Sequence, residues 1–591
     1  MKISLILSLI IIITSIIYLL LRRKNGLKTN IAIGVITCII SISILVFPLL
    51  KYTNVFVHAL ASFIYGFKSM GMGQDLSVLS SIELNSMIGY FYLILLIILF
   101  LLTPTLTASF IIAYLERIIS NLKFIMSKNK KLYVFSELND KSIMLSKNLE
   151  SKKKNTIIFC NVNDKKDIGI KSIKLNDRVE NINFNFKSDI TFYMVNPNEE
   201  ENLNATLALI DKYKTFNKIK INVINKTEET PIILDSMDKG KITVEIINET
   251  ERAVFNLLNN KPLFLNTIDK TISILIVGCG NVGKEFLRDS VWCGMIPDYK
   301  LKFLVIDIKA DIIKDNISVE MPELLNNYDI TFVNADIKSP KAIDIIKNRS
   351  DVNYILISTD TDDKNIDIAI TLRRLYLKEF NREPIINLYI ENDLKNEEIL
   401  RLSNEKNDGY NLNAFGSMQE LYEKNSIIDS ELEKLAKEVH LAYDPSDKNL
   451  ERYNLREYNK RSSRASALHI KYKFFYVLGN EYTSDMKKNQ RLFKEKYNDK
   501  IEEILSRNEH DRWNAYTRSI GYVYVSCKEV ANYYESNKHY IHYLARRHPA
   551  LVEYDELDKV SKELSKITSR EINLKSSDTM IIRFIKDKIE L

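Results

Sequence analysis

Three long apolar runs lie within the first ~115 residues, and they constrain the fold more than any other feature of the chain. Residues 3–21 carry no charged side chain, and further apolar runs extend from Ile31 to Leu50 and from about Ile88 to Leu115. Each run is long enough to cross a bilayer as a helix. A signal peptide is the alternative for the first run, but that run is too long and no small-residue cleavage site follows it. The sequence therefore predicts a transmembrane segment over residues 1–125 with three spans.

Basic residues cluster at two ends of these runs. RRKNGLK occupies positions 22–28, and the third run is followed by Arg117, Lys123, Lys128, Lys130 and Lys131. Lysine and arginine near the end of a span favour the cytoplasmic side. Both clusters satisfy that rule if the N-terminus is outside and the chain after the third span is inside. We therefore expect a multi-pass protein of the cell membrane, embedded in the lipid bilayer, with residues 116–591 in the cytoplasm.

The segment between the second and third runs, residues 51–87, is too apolar for a plain loop and too short to cross twice. Residues 56–75 read FVHALASFIYGFKSMGMGQD. A re-entrant half-helix is physically possible here, because irregular backbone is tolerated at membrane depth when it lines a cavity. The segment resembles the pore loop of potassium channels, in which a short helix precedes a T-V-G-Y-G-D filter. The matching residues are Ser69, Met70, Gly71, Met72 and Gly73.

This resemblance implies a path for a monovalent cation, lined by backbone carbonyl groups. One pore loop per chain would require four copies, so it also implies a homotetramer. Two residues depart from the pattern. Lys68 brings an ammonium group close to the path, and Met72 replaces the aromatic residue. The alternative is an extracellular amphipathic loop that contains two glycines.

Beyond residue 130, strand-like and helix-like segments alternate in two stretches, which predicts parallel sheets with helices on both faces. The first stretch covers 131–260 and begins with the strand-like KLYVFSEL at 131–138. Its first turn, SELND, has no glycine, so side chains would keep a phosphate away from the backbone. We predict that this stretch is a structural or degenerate Rossmann-like unit. The second stretch covers 271–430.

The second stretch contains a glycine motif in the context that dinucleotide binding requires. SILIVGCGNVGKEFL at 273–287 reads as a strand, then Gly278-x-Gly280-x-x-Gly283, then a helix. The first glycine permits the tight turn, the second lets a pyrophosphate approach, and the third lets the helix pack on the strand. The next strand ends at Asp307, near the offset expected for a ribose-binding carboxylate. The sequence thus predicts a nucleotide-binding Rossmann unit.

The rest of this stretch resembles RCK or TrkA-N, the regulatory domain of potassium channels and transporters. That family has an aspartate after its third strand, matched here by Asp336, and a T-D-D-D-x-x-N run with a later A-R-R. Thr359, Asp360, Asp362, Asp363, Asn365, Arg373 and Arg374 fall in register with that pattern. The resemblance implies that these residues line the nucleotide edge of the sheet. It also implies that NAD(H) or another adenine nucleotide acts as a regulatory ligand. A solvated acidic loop is the alternative for the aspartate run.

The last part, 431–591, turns helical and more polar. Its motifs E-H-x-x-W, G-Y-x-Y and H-P-x-L-x-x-Y-x-x-L resemble the RyR domain, a small helical repeat first described in ryanodine receptors. Physically, its aromatic rings and nearby arginines are suited to stack a base and hold a phosphate. His510 and His548 are candidates to pair with Glu509 or Asp511 in acid–base chemistry, and the alternative is that they are packing residues of small helices. The residues assigned to an RyR-like ligand pocket are Glu509, His510, Trp513, Tyr522, Tyr524, His548 and Tyr554.

Several function classes lack support in the sequence. The net charge of +7 comes without a long basic tract, so no nucleic-acid partner is expected. The five cysteines form no CxxC pair, so we expect no zinc site. No nucleophile elbow, HExxH or kinase motif occurs, so we expect no enzyme. The expected function is a nucleotide-gated membrane protein, and more specifically a potassium-type cation channel. The alternatives are a nucleotide-triggered effector of bacterial immunity that disrupts the bilayer, and a membrane-anchored NAD-dependent enzyme.

Overall fold

The structure is a computed structural model, and it divides the chain into two compact units. One unit comprises Met1–Leu132 and Lys154–Asp189, and the other comprises Tyr133–Lys153 and Ile190–Leu591. Arg22, Arg23 and Lys24 of the first basic cluster, and Lys128 of the second, lie outside the described residues. The described residues are 1–21, 27–73, 75–127, 129–150, 155–162, 168–184, 189–226, 229–404, 410–422 and 431–587.

The first unit begins with apolar helices. They are α1 (Lys2–Leu21), α2 (Leu27–Val46), α3 (Val55–Lys68) and α4 (Met87–Met126). Three stretches are long and apolar enough to cross a membrane: Lys2–Leu20, Thr29–Leu49 and Met87–Ile112. The prediction of three apolar helices of spanning length is therefore confirmed.

Close packing holds these helices together. Ile42 and Leu45 of α2 and Tyr92 and Leu96 of α4 are fully buried, and the Tyr92 hydroxyl donates a hydrogen bond to the Leu45 carbonyl. A small residue brings α3 against α2. A Cβ on Gly66 would lie 2.5 Å from the carbonyl oxygen of Ile39. Small residues allow such close backbone approach between membrane helices.

Two six-stranded sheets follow, as the alternating pattern predicted. The first has the strand order β3-β2-β1-β4-β5-β6. Its strands are β1 (Lys131–Phe135), β2 (Asn155–Phe159), β3 (Ser172–Lys174), β4 (Ile190–Met194), β5 (Ile219–Ile224) and β6 (Thr243–Ile247). Its helices are α5 (Asp140–Glu150), α6 (Glu199–Tyr213), α7 (Glu229–Ser236) and α8 (Glu249–Asn260).

The second sheet has the equivalent order β12-β11-β10-β7-β8-β9. Its strands are β7 (Thr271–Val277), β8 (Lys300–Asp307), β9 (Asp329–Asn334), β10 (Tyr354–Ile357), β11 (Ile385–Tyr389) and β12 (Leu412–Phe415). Its helices are α9 (Asn281–Cys293), α10 (Ala310–Glu320), α11 (Leu324–Asn327), α12 (Pro340–Ile346), α13 (Asp362–Phe380), α14 (Asp393–Asn404) and α15 (Met418–Tyr422). Numbered within each sheet, both orders are 3-2-1-4-5-6, the order of doubly wound dinucleotide-binding folds.

The strand order of the second sheet creates a switch point between β7 and β10. Its central strands are continuous apolar runs, and Ile274, Leu275 and Ile355 are fully buried, as in a parallel sheet covered on both faces. Strand β7 pairs in parallel with β8 on one side and with β10 on the other. The chain winds outward in opposite directions from β7 and β10. Such a switch point opens a crevice at the carboxyl ends of the strands.

The C-terminal part is helical, as predicted. Its helices are α16 (Glu431–Tyr443), α17 (Glu451–Leu455), α18 (Glu457–Leu478), α19 (Met486–Lys496), α20 (Asp499–Ser519), α21 (Cys527–Asn537), α22 (Leu557–Thr568) and α23 (Leu574–Asp587). The short strands β13 (Val523–Tyr524) and β14 (Arg547–His548) pair in parallel. Helix α20 packs on α9, where the Tyr516 and Trp292 rings lie 6.3 Å apart. This contact joins the helical part to the second sheet.

Candidate functional site

A crevice of about 590 Å³ lies at the carboxyl ends of β7 to β10. That volume falls in the range of small-ligand and cofactor sites. Strands β7 and β8 end at Val277 and Asp307, and the loops that follow them form two of its walls. Of the residues predicted to bind the nucleotide, the crevice is lined by Gly278, Gly280, Asp307, Asp336, Thr359 and Asp360.

The three glycines meet different surroundings. Gly278 has φ +80°, and a Cβ there would lie 2.6 Å from the carbonyl oxygen of Ser358. A Cβ on Gly283 would lie 2.3 Å from the carbonyl oxygen of Gly278. Gly280 differs, since no heavy atom lies within 4 Å of the position its Cβ would take. Gly278 and Gly283 therefore shape the turn, whereas Gly280 leaves open space in the crevice.

The start of α9 is suited to an anion. Gly280 is the N-cap residue and has no side chain that could accept from the first amide groups. Asn281 and Val282, the first helical residues, line the crevice. The first N–H groups of a helix have no partner within it, and they carry its partial positive charge. A phosphate can accept hydrogen bonds from them.

Asp307 is held in place by the backbone around the glycine turn. Its Oδ2 accepts from the Cys279 amide at 2.8 Å, and its Oδ1 accepts from the Lys309 amide at 2.7 Å. A carboxylate has about four acceptor positions, so two remain for ribose hydroxyl groups. Burial, with the nearby Asp307 charge, raises the pKa of the Cys279 thiol to about 12. This cysteine is therefore a protonated packing residue and not a reactive thiolate.

Asn365 does not line the crevice, but it is hydrogen-bonded to Thr359, which does. The side chain is 1% exposed. Its Oδ1 accepts from the Thr359 amide at 2.8 Å and from the Thr359 hydroxyl at 2.6 Å. Its Nδ2 donates to the Tyr389 carbonyl at 2.8 Å. Asn365 thus fixes the ends of β10 and β11, and with them Thr359.

Arg373, which was predicted to bind the nucleotide, does not line the crevice. It is buried, its Nε donates to the Tyr410 carbonyl at 2.7 Å, and its Nη2 donates to the Asn411 carbonyl at 2.9 Å. Burial lowers the pKa of its guanidinium group. The side chain braces the segment before β12. The structure therefore does not bring Arg373 to the crevice.

Three lysines that the motifs did not single out also line the crevice: Lys309, Lys338 and Lys364. Lys364 pairs with Asp360 at 2.7 Å, and Lys338 pairs with Asp367. A sequence signal for two of them was available. Lys309 and Lys338 follow the predicted Asp307 and Asp336 by two residues. They place positive charge beside the acidic groups, where phosphates would need it.

The residues predicted for the RyR-like pocket converge only in part. His510, Trp513 and His548 line a second cavity of about 400 Å³ within the helical part. The His510 and Trp513 rings lie 5.7 Å apart, and the Trp513 and His548 rings lie 4.8 Å apart. Asp578 Oδ2 lies 3.4 Å from His510 Nδ1. Burial lowers the pKa of His548 to about 3, so its imidazole is neutral near pH 7.

The other four predicted residues do not line that cavity. Glu509 is completely buried and pairs with Lys473 and Arg512. Tyr522 lines a different cavity. Tyr524 is exposed, and its amide donates to Glu323 at 2.9 Å. Tyr554 makes an edge contact with His510, with 6.0 Å between the rings. These seven residues therefore do not form a single pocket.

The segment predicted as a filter ends helix α3. Ser69–Gly71 form a 3-10 turn, and Met72 has a left-handed backbone with φ 58°. The Gly73 amide donates to the Lys68 carbonyl at 3.0 Å, and the Ser69 hydroxyl donates to the Gly66 carbonyl at 2.6 Å. The carbonyl groups of Lys68 and Gly66 therefore accept hydrogen bonds from within the turn.

Comparison with protein-family models, curated proteins and solved structures found no match to the chain.

Proposed function

We propose that the protein is a nucleotide-gated membrane protein. An adenine nucleotide such as NAD(H) binds in the crevice of the second sheet and shifts a conformational equilibrium of the membrane helices. The observation that carries the proposal is the open space at Gly280, at the start of α9 and beside Asp307, which accepts from the Cys279 amide. An uncapped helix start beside a fixed carboxylate is the arrangement by which doubly wound folds hold the pyrophosphate and the ribose of a dinucleotide.

The chemistry of the crevice favours a dinucleotide or nucleoside diphosphate. The pyrophosphate would accept from the first amides of α9, with lysine ammonium groups close by to balance its charge. The ribose hydroxyl groups would donate to Asp307. Ile308 and Ile337 line the crevice and offer apolar surface to the base. We assign the nucleotide a regulatory role, as the resemblance of the second sheet to RCK or TrkA-N domains implies.

For the readout we propose cation conduction by a homotetramer. Only residues 127–130 separate helix α4 from strand β1 along the chain. A change in the cytoplasmic part would therefore act on the third span through a short connection. A ligand shifts such an equilibrium only if it binds one state better than the other. The proposal places residues 116–591 in the cytoplasm and the lipid bilayer around the three apolar helices.

A second candidate is a nucleotide-triggered effector that disrupts the bilayer. One observation favours it over a selective channel. The residues Ser69–Gly73 form a turn with local hydrogen bonds, whereas a filter presents a row of carbonyl groups to the ion. This candidate shares the nucleotide site and differs only in how the membrane responds.

Calorimetry on the purified full chain tests the nucleotide site. We expect the wild-type protein to bind at least one of NAD, NADH, ATP and ADP-ribose. Gly280→Asp, which places bulk and negative charge where the pyrophosphate would lie, should weaken that binding by about a hundredfold or more. Unchanged binding in the folded variant, or no binding by wild type, refutes the crevice as a nucleotide site.

Recordings from the protein in planar bilayers test the readout. Discrete, cation-selective current steps on addition of the bound nucleotide support the channel. Graded loss of membrane integrity, with leakage of large dyes from vesicles, supports the effector. If neither current nor leakage responds to a nucleotide that binds, gating of the membrane segment is refuted.

A further inference from the structure

A third cavity, of about 520 Å³, opens where three parts of the second unit meet. Helix α7 contributes one wall, helices α9 and α10 contribute a second, and the C-terminal helical part contributes the third. We call it the junction cavity. It shares no lining residue with the crevice, and it shares only Tyr458 with the cavity at His510. Its size is that of a small-ligand site.

One wall of the junction cavity is aromatic. The Tyr458 ring lies 5.4 Å from the Tyr522 ring and 5.9 Å from the Tyr543 ring. Burial raises the pKa of Tyr458 and Tyr522, so both phenols are neutral hydrogen-bond donors at neutral pH. Tyr516 Oη is buried, and no hydrogen bond satisfies it among the described residues. Such rings stack nucleotide bases with little sequence preference.

The charge balance of the lining favours an anion. The lining carboxylates are already held by cations of the protein. Arg456, in contrast to those cations, forms no ion pair within the described part of the chain. Its guanidinium lies 4.1 Å from the centre of the Tyr543 ring. Arg546 also lines the cavity. The held carboxylates and their cations are Asp235 with Lys239 at 3.6 Å, Glu320 with Lys284 at 2.5 Å, and Glu457 with Arg464 at 3.0 Å.

We propose that the junction cavity is a second ligand site, specific for a nucleotide-class anion. The phosphate lies against Arg456 and Arg546, and the base stacks on the tyrosine wall formed by Tyr458, Tyr522 and Tyr543. The Arg456 guanidinium lies 4.1 Å from the centre of the Tyr543 ring, which places positive charge beside the tyrosine wall. A guanidinium suits this role, because it can bind phosphate with two hydrogen bonds and can stack on a ring. A ligand here would contact all three parts at once.

Helix α10 extends from the crevice to the junction cavity. Lys309, at the start of α10, lines the crevice, and Glu320, its last residue, lines the junction cavity. The 11-residue helix spans about 16 Å between them. At its end, Gly521 has φ +85°, and a Cβ there would lie 2.4 Å from the Glu320 carbonyl oxygen. This close approach packs the end of α10 against the C-terminal helical part.

The test uses the full chain in nanodiscs with the crevice blocked by Gly280→Asp. Radiolabelled ATP, NAD and ADP-ribose are the probes, and equilibrium dialysis gives the number of sites and the dissociation constants. We expect the Gly280→Asp protein to retain one site for at least one probe. Adding Arg456→Glu or Tyr543→Ala should weaken that site by about tenfold or more, the scale of one lost ionic or stacking contact.

Two control variants separate local chemistry from misfolding. Tyr543→Phe keeps the ring, and Arg491→Glu reverses an exposed charge on α19 outside the lining of all three cavities. Both should bind the probes as the Gly280→Asp parent does. A parent that binds none of the probes, or a site unchanged by both Arg456→Glu and Tyr543→Ala, overturns the junction site. Failure of the crevice proposal looks different, because Gly280→Asp then leaves wild-type binding intact.

Discussion

Thr359 and Asn365 are joined by two hydrogen bonds, since the amide and the hydroxyl of Thr359 both donate to Asn365 Oδ1, at 2.8 and 2.6 Å. Thr359 lines the crevice and Asn365 does not. The pair therefore joins a residue of the crevice lining, Thr359, to the buried residue that positions it, Asn365. The Asn365 amide also donates to the Tyr389 carbonyl, so its loss affects two strand ends.

Asn365→Ala should destabilise the fold and weaken nucleotide binding together. The variant removes the Asn365 partner of the partly buried Thr359 amide and Tyr389 carbonyl, which costs about 2 kcal/mol in the free energy of unfolding. Denaturant unfolding and calorimetry with the bound nucleotide measure the two effects. Thr359→Val is the control, since it removes one hydroxyl and keeps the backbone bond, and its loss of stability should be smaller. Equal stability of Asn365→Ala and wild type contradicts the positioning role.

The glycine turn should respond to alanine in a position-dependent way. Gly283→Ala forces a Cβ against the Gly278 carbonyl, and overpacking of this kind costs about 1–3 kcal/mol. Gly280→Ala meets open space and has φ −70°, so the free energy of unfolding should stay within about 0.5 kcal/mol of wild type. The same variant should still weaken nucleotide binding. If both variants unfold alike, the turn does not have the geometry described.

Features formed by residues contiguous in the chain could be predicted from the sequence, and features that depend on contacts between distant residues could not. The glycine turn was predictable because its strand, turn and helix are contiguous. The function of Arg373 was not, because its partners at 410 and 411 lie in a loop that no pattern links to α13. The three-residue strand β3 is too short to show alternation. In the helical part, the motifs identified candidate residues, but they did not predict which helix faces pack against each other. His510 and His548 therefore converge while Tyr522 faces another cavity.

A buried charge network in the helical part should be costly to break. Glu509 lies between Lys473 and Arg512, and all three side chains are fully buried. The charges of Arg512 and Lys473 hold the pKa of Glu509 well below its usual range despite burial. Glu509→Gln leaves the buried charges of Lys473 and Arg512 without their common partner, and should lower the free energy of unfolding by about 3–5 kcal/mol. The exposed pair of Arg507 and Glu503 is the control, and Arg507→Ala should have little effect on stability.

His548 should make the stability depend on pH on the acid side. Burial lowers its pKa to about 3, and its Nδ1 accepts from the Ala550 amide at 3.1 Å. The unfolded chain has an ordinary histidine pKa near 6.5, so below that pH the unfolded state binds the proton and the native state does not. Stability is therefore full above about pH 6.5 and falls toward pH 3, by up to about 1.4 kcal/mol per pH unit for this group.

His548→Asn tests that assignment, because the asparagine side chain can still accept from the Ala550 amide but does not titrate. The free energy of unfolding, measured from pH 7.5 to pH 4.5, should fall less steeply in the variant than in wild type. His542→Asn is the control, because His542 is only half buried. An identical slope for His548→Asn and wild type shows that His548 takes up no proton on unfolding.

Alanine can replace the glycines of the predicted filter without a steric clash that would disturb the turn at Ser69–Gly73. A Cβ on Gly71 meets no neighbour within 4 Å, and one on Gly73 lies 3.4 Å from the Lys68 carbonyl, an ordinary contact. Gly71→Ala and Gly73→Ala should therefore assemble as wild type does. Gly66→Ala is the opposite control, because its Cβ would lie 2.5 Å from the Ile39 carbonyl, and it should impair packing of α3 on α2.

If the residues Ser69–Gly73 line a cation path, the double variant Gly71→Ala with Gly73→Ala should lose current or change its ion selectivity. The reason is that carbonyl groups coordinate ions only where the backbone can turn them inward, and alanine restricts that freedom. Bilayer recordings under mixed potassium and sodium gradients measure the permeability ratio. Lys68→Ala should raise cation-over-anion permeability in the same assay, because it removes an ammonium group beside the path. Nucleotide-dependent current with unchanged selectivity in the double variant rules out a filter at Ser69–Gly73, and bilayer disruption then becomes the better account of the membrane response.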